Sequence, residues 1–249
     1  MTALAGAHVL VTGASSGIGR EVCTLLAGRG ARLLVTGRDA SRLGETAGSC
    51  GAEAVSADLA DPSQLARLAE RVADASLDVV VHAAGYGAVR DAATAEEGLL
   101  RGLLAVNVEA TERLTRAVLP GMLARGRGHL VFVTSIAAHL GVPHESAYAA
   151  SKAAQAGYAE SLRAELAGTG VVVSTVAPGV VDTGFFSRRG EPYARRTPRL
   201  MPAGRVAAAV VRSVETDRAE CIVPAWLRVP VVLRAVAPGA FARLAGRFG

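Results

Sequence analysis

Lysine is almost absent from this chain. Of its 27 basic residues 26 are arginine, and the single lysine is Lys152. Arginine replaces lysine well on a solvated surface, but not where a compact ammonium on a flexible stem is required. The one lysine that remains is therefore a candidate for chemistry. Aromatics are scarce too, at 4% of residues, which leaves a core built mainly from Val, Leu and Ala. The net charge is +5, but the arginines are scattered and no basic run is interleaved with aromatics. That pattern excludes a base-stacking nucleic-acid surface. Cys23, Cys50 and Cys221 are odd in number and suit a reducing compartment better than a disulfide framework. No basic n-region precedes the first apolar run, so no signal peptide is expected. No uncharged apolar run reaches the roughly 18 residues needed to span a membrane. The expectation is a cytoplasmic protein with no nucleic-acid partner and no metal.

What the chain does have is 51% apolar residues over a length of 249, enough for one sizeable core. Short apolar runs at His8–Val11, Arg32–Thr36, Ala52–Ser56, Asp78–Val81, His129–Val133, Val171–Val176 and Glu220–Val223 read as strands covered on both faces. Helical patterns lie between them, at Ile18–Arg29, Pro62–Asp74, Glu97–Leu123, Ser146–Ala167 and Arg205–Thr216. This alternation predicts an α/β fold: one Rossmann-type, doubly wound parallel sheet of about seven strands with helices on both faces. No repeat or composition break divides it, so residues 1–249 are read as a single domain. Such a sheet binds its ligand at the carboxyl ends of the strands, where the polar clusters here fall.

Tyr148 stands four residues before Lys152. On a helix that spacing puts both on one face, with Cβ atoms roughly 5–6 Å apart. An ammonium about 4 Å from a phenol, at an effective dielectric near 20, favours the phenolate by on the order of 4 kcal/mol. That lowers a phenol pKa by up to roughly three units. The pair reads as a tyrosine tuned to exchange protons near neutral pH; the plain alternative is a surface lysine beside a half-buried tyrosine. After the first strand comes Thr12-Gly13-Ala14-Ser15-Ser16-Gly17-Ile18-Gly19, leading into a helix. Glycines there permit a tight turn and let backbone approach a pyrophosphate at the positive helix end.

These two motifs together resemble the short-chain dehydrogenase/reductases, from about Ala7 to Val223. The family's other motifs follow in order. Asp58-Leu59 matches the acidic site that contacts adenine, and His82-Ala83-Ala84-Gly85 matches N-A-A-G except at its first position. Asn107 lies in the fourth long helix, Ser135 ends the fifth strand, and Pro178-Gly179 with Thr183 match the segment beside the nicotinamide. The resemblance implies a carbonyl reductase in which Tyr148 donates a proton to the developing alkoxide and Ser135 hydrogen-bonds the substrate oxygen. Lys152 depresses the Tyr148 pKa and holds the nicotinamide ribose, while Asn107 positions a water that links Lys152 to solvent. Cofactor contacts are implied for Gly13, Ser15, Ser16, Gly17, Ile18, Gly19, Ala84 and Gly85 as well. His82 departs from the family's asparagine and reads as a structural substitution. Asp58 has a second reading, as an N-terminal charge for the helix beginning at Pro62.

For the choice of nicotinamide, the second strand ends Thr36-Gly37-Arg38, with glycine where NAD-dependent relatives carry an acid. A guanidinium pairs bidentately with a 2′-phosphate, so NADP(H) is preferred and NAD(H) is the second choice. Asp39 argues the other way but reads better as a helix N-cap. The family's variable substrate loop corresponds to residues 180–202. Its Phe185 and Phe186, with Ile136, His139 and Val142 on the opposite wall, suit a small hydrophobic carbonyl or alcohol substrate. Arg188, Arg189, Arg195, Arg196 and Arg199 read as solvation of that loop. The resemblance also implies a homodimer or homotetramer through the long central helices. In the tail, residues 224–249, Phe241, Leu244, Ala245 and Phe248 share a helical face opposite Arg243 and Arg247. That face is expected to pack on the domain or a sister subunit in preference to a membrane surface, because Pro224, Pro230 and Pro238 break the tail into short pieces. The rival from another functional class is a sensor or scaffold that binds NADP(H) without turnover; a complete Ser135–Tyr148–Lys152 set speaks against it.

Overall fold

The computed structural model describes residues 2–185, Tyr193 and 198–248, with side chains followed to residue 243. Seven parallel strands form its sheet: β1 His8–Thr12, β2 Arg32–Gly37, β3 Glu53–Ser56, β4 Val79–His82, β5 Gly128–Val133, β6 Val171–Pro178 and, after two short strands, β9 Glu220–Val223. Their order is β3-β2-β1-β4-β5-β6-β9. The chain winds outward from β1 to β3, then returns to the other side of β1 with β4. That reversal opens a crevice between β1 and β4, beyond the strands' carboxyl ends. Thr12 is in register with both Thr36 and His82, so the strand ends line up along one edge.

Side chains alternate across the sheet and build two cores. Val9, Val11, Val35, Val79 and Val81 pack on one face with helix α1, Gly17–Ala27, and helix α7, Ala203–Thr216. Leu10, Leu34, Val80, Leu130 and Phe132 pack on the other with α3, Pro62–Ala73, α5, Ala110–Ala124, and α6, Ser146–Glu165. Burial on both faces is why the strands read as continuous apolar runs rather than alternating ones. Phe132 and Leu10 are fully buried, and truncating either to alanine costs roughly 2–5 kcal/mol. The edge strand β3 departs from that expectation, since three of its four residues are exposed; a short apolar run does not reveal whether its strand is central or at an edge.

Helix starts follow local chemistry. Asp39 accepts the Arg42 backbone N–H at 3.0 Å and caps helix α2, Ala40–Cys50. Asp61 accepts from the backbones of Ser63 and Gln64 and caps α3, with Pro62 at its first position. Asp61, not Asp58, therefore fills the N-terminal role for that helix. The segment expected as one helix from Glu97 is α4, Leu99–Leu104, then a π-helical turn at Ala105–Glu109, then α5. Two short strands, β7 Val181–Asp182 and β8 Met201–Pro202, pair with each other across the intervening segment, and helices α8, Arg228–Val236, and α9, Pro238–Phe248, end the chain. Among the described residues no helix is long and apolar enough to cross a membrane.

Candidate active site

The loop between β1 and α1 is folded by contacts that leave no room for side chains. Gly13 has φ +70°, and a Cβ there would lie 2.7 Å from Ala84 Cα. Gly17 has φ +54°, and its Cβ position is 3.0 Å from the Thr183 methyl. A Cβ on Gly19 would collide with the Gly13 carbonyl oxygen. These contacts hold the glycine loop against the Ala83-Ala84 backbone and the Thr183 side chain, bringing the three segments together at the crevice. Thr12, read in the sequence only as the start of the glycine loop, clamps it: its hydroxyl oxygen accepts the backbone N–H groups of Ala83 at 3.1 Å and Ala84 at 3.0 Å. The first turn of α1 carries no acidic residue, so the positive end of the helix faces the crevice uncompensated. This cradle fits a dinucleotide.

At the far end of the crevice, Ser15 packs against Gly37, whose Cβ position lies 3.0 Å from the serine Oγ. Ser16 precedes α1 at its N-cap position, and Ile18 packs on the core beneath the loop. Arg38 follows β2 into solvent and its guanidinium stands 3.9 Å from the Asp58 carboxylate. Asp58 also accepts the Ala60 backbone N–H, and Leu59 is buried behind it. At the opposite end, Pro178 ends β6 and Gly179 donates its N–H to the Val223 carbonyl at 2.7 Å. Thr183 accepts the Phe185 N–H at 3.2 Å.

Tyr148 and Lys152 share the inner face of α6, and both are buried. The spacing expected from the sequence is met; a surface position for Lys152 is not. Its Nζ donates to the Val133 carbonyl at 3.0 Å and to Gln155 Oε1 at 2.9 Å, and the Cβ position of Gly85 is 3.3 Å from it. Burial pushes the Lys152 pKa down to about 7 because desolvation penalises the charged form. The attraction between ammonium and phenol is thus opposed by a desolvation penalty that a spacing of four residues does not reveal. Gln155 Nε2 lies 3.4 Å from Thr111 Oγ1, and Thr111 in turn donates to the Asn107 carbonyl at 3.2 Å.

Asn107 sits in the π-helical turn, fully buried. A π-turn displaces one residue from the regular helical ladder, and here it points the Asn107 amide inward. That amide accepts the Tyr86 N–H at 3.2 Å and donates to the Tyr86 carbonyl at 3.1 Å and the Ser151 hydroxyl at 2.9 Å. It thus fastens the Gly85 segment to α6. Ser135, at the end of β5, is buried and accepts the Ala137 N–H at 3.1 Å. His82 lies one layer deeper, stacked 4.9 Å from Phe132 and bonded to Thr115 at 3.0 Å. Burial pushes its pKa down to about 3, so it is a neutral packing residue.

A small apolar cluster is centred on Tyr148, with Leu103 and Ala137 buried and Leu99, Val142 and Phe185 partly buried around it. The Phe185 ring lies 5.6 Å from Tyr148 and presses on Gly87. Ile136 and His139 sit at the neighbouring 3-10 turn, and Arg234 reaches from α8 to donate to the His139 carbonyl. Phe186, Arg188, Arg189, Arg195 and Arg196 lie outside the described residues. Leu99 and Leu103 went unnamed in the sequence although their spacing of four marks one helix face. Ser151 and Gln155 carry the same signal on α6, at three and seven residues past Tyr148. No group of three or more His, Cys, Asp or Glu able to hold a metal ion occurs among the described residues.

Comparison with known proteins agrees with this geometry. The family model for short chain dehydrogenase matches residues 7–194. An uncharacterized oxidoreductase of Myxococcus xanthus is 36% identical over 236 residues, covering 92% of either chain. A short-chain dehydrogenase from Sphingobium yanoikuyae, solved in complex with NADPH, superposes with a TM-score of 0.85 at 28% identity, over 96% of this chain and 95% of that one. A Burkholderia phymatum short-chain dehydrogenase/reductase solved with NAD shares the fold at 24% identity and a TM-score of 0.84, over 94% and 95% of the chains. The chain belongs to the short-chain dehydrogenase family of NAD(P)(H)-dependent oxidoreductases acting on CH–OH and C=O groups.

Proposed function

We propose that this protein uses NADPH to reduce a hydrophobic ketone, or runs the reverse oxidation of the secondary alcohol, and that Tyr148 exchanges the proton. The observation that carries this reading is the buried face of α6, where Tyr148 and Lys152 stand together against an apolar cluster at the sheet's carboxyl edge. When bound, the nicotinamide supplies the hydride that the carbonyl carbon receives. Tyr148 gives its phenolic proton to the carbonyl oxygen as charge builds there. Ser135, oriented by the Ala137 N–H, donates to that same oxygen. Lys152 lies against Gly85, where it would meet the nicotinamide ribose, and its pKa of about 7 makes its charge responsive near neutral pH. Asn107 acts here through Tyr86 and Ser151, setting the gap between the Gly85 segment and α6; the water assigned to it by resemblance would be held by contacts other than these.

Preference for NADPH is supported by Arg38, by a glycine at position 37 where a side chain would meet Ser15, and by the NADPH held in the Sphingobium relative. NADH is the second cofactor of this reading. The adenosine end would rest on Asp58 and Leu59, and the nicotinamide end on Pro178, Gly179 and Thr183. Three unpaired thiols suit a cytoplasmic setting. The homodimer or homotetramer implied by the family resemblance would pair through the long helices α5 and α6.

The test follows nicotinamide absorbance with NADPH and NADH against a panel of hydrophobic ketones, wild type beside Tyr148→Phe. The expected result is consumption that falls about 10²–10⁴-fold in the variant while NADPH binding is kept. Undiminished turnover removes Tyr148 as the proton donor. Tight NADPH binding with no turnover on any ketone favours the sensor reading.

A further inference from the structure

We propose that helix α8, with the 3-10 turn Ala225–Leu227 that leads into it, docks this protein on an anionic lipid surface, with Trp226, Val229, Val232 and Val236 entering the apolar boundary. The sequence favoured packing of the tail on the domain or a sister subunit over contact with a membrane. In the fold, α8 packs against α9 and is fastened to the domain from one side. Leu227 is buried over Gly179 and Arg234 donates to the His139 carbonyl, while no residue of α8 itself is fully buried. The opposite side is open: Trp226 is 53% exposed, Val229 70%, Val232 50% and Val236 75%. At 3.6 residues per turn the three valines fall within about 60° of one another, and Trp226 continues the stripe one turn earlier. Among the described residues eight large hydrophobics are exposed, and these four lie within eleven positions of chain. Single exposed apolar residues are ordinary; a contiguous stripe marks an interaction surface.

Charge decides between the occupants. From Cys221 to Gly249 the sequence holds four arginines, at 228, 234, 243 and 247, and no acidic residue. The remaining 220 residues carry 23 basic and 22 acidic side chains. Four of the five excess positive charges thus sit in the tail that bears the apolar stripe. A second copy packed on the same stripe about a two-fold axis would bring two such tails together, like charge against like. A surface of anionic headgroups over acyl chains matches the stripe and the net positive charge of the tail, whose Arg228 and Arg243 are exposed. Leu227 over Gly179 and Arg234 on His139 also place this segment next to the turn that gives Ala137 to the apolar cluster around Tyr148. If the reductase reading holds, on which this last point rests, its substrate is one that partitions into lipid.

Trp226 is the only tryptophan in the chain, so its emission reports the docking directly. Wild type and a Val232→Glu/Val236→Glu double variant would be mixed with phosphatidylcholine vesicles, with and without phosphatidylglycerol, and read by co-sedimentation and fluorescence. Both substitutions fall on exposed positions, and matching circular dichroism and melting curves would verify that the variant is folded. The expected result is about tenfold more wild-type protein on the anionic vesicles than on the neutral ones, with a blue shift of Trp226. Both signals should be lost in the variant and weakened by salt. Absence of binding, equal binding to neutral vesicles, or undiminished binding of the variant would each overturn the proposal. So would a vesicle-free dimer that the variant dissociates, which would give the face to a second copy. Vesicle binding needs no turnover, and turnover of a water-soluble ketone needs no vesicle, so failure of this inference and failure of the reductase reading are separable.

Discussion

At one end of the crevice, the Arg38 side chain is 77% exposed and meets Asp58 at 3.9 Å. At the other, Lys152 is 4% exposed and has two acceptors within 3.0 Å. The same edge of the same sheet thus holds one cation in water and one out of it. Solvent screens the first, so an ion pair there contributes little and can be altered without disturbing its neighbours. The second depends on its partners, because a desolvated charge that loses a hydrogen bond has no water to replace it. The proposed chemistry sits in the rigid end and the proposed cofactor choice in the soft one. Substitutions should therefore break activity at one end and only retune it at the other.

The largest effect is expected from Lys152→Arg. Arginine keeps the charge but brings a planar, bulkier head into a space bounded by Val133, Gln155 and Gly85. Turnover should fall by at least about 10²-fold, measured as kcat beside NADPH affinity. A near-normal kcat would erase the contrast between the two ends. Acid stability is the next effect in size. His82 and His129 are buried, with pKa values pushed down to about 3 and about 4 from the ordinary 6.5. Between those values and 6.5 the unfolded chain binds protons that the folded one does not, so stability falls as pH drops. Each histidine contributes a slope of at most about 1.4 kcal/mol per pH unit. Urea unfolding from pH 7 to 4 should show this loss, and His82→Asn should reduce it; a flat profile would mean that neither ring resists protonation in the fold.

These effects also mark where the sequence stops being readable. Strand positions and winding were legible because two-sided burial writes continuous Val and Leu runs, and helices write a period between them. Tyr148 and Lys152 were legible because a spacing of four fixes a shared face wherever the helix lies. How deep that face sits was not, because burial of Lys152 is a sum over β5, α6 and the Gly85 segment that no local pattern contains. Asn107 was placed in an ordinary helix because a π-turn leaves no periodic trace. Gln155 looked like any polar helix residue until Lys152 turned toward it. The edge position of β3 and the open side of α8 were hidden for the same reason: composition reports that a face is apolar, not whether something covers it.

Gln155 gives a sharper test inside the rigid end. Its Oε1 accepts from Lys152 and so favours the ammonium. Gln155→Leu should move the Lys152 pKa below about 7, and the kcat profile should shift toward lower pH with a rate loss of about tenfold at pH 8. Gln155→Glu should shift the profile the other way. A profile unmoved by both would reduce Gln155 to a packing role.

The smallest expected effect lies at the soft end. Arg38→Asp removes a guanidinium that would pair with a 2′-phosphate and offers a carboxylate to a ribose hydroxyl. Because Arg38 is largely exposed, the melting temperature and the kcat at saturating cofactor should stay as they are. The ratio of kcat/KM for NADPH over NADH should drop by about tenfold, the size of one charge-assisted hydrogen bond. The same exposure gives an independent check in the wild type. A preference that rests on a solvated cation must weaken as salt screens it, whereas steps that depend on Tyr148 and Lys152 are shielded by burial and should not follow ionic strength. A ratio indifferent to both the substitution and salt would remove Arg38 from cofactor choice. It would leave Ser15 and the glycine at position 37, which sit closer to the strand ends, to account for any preference that remains.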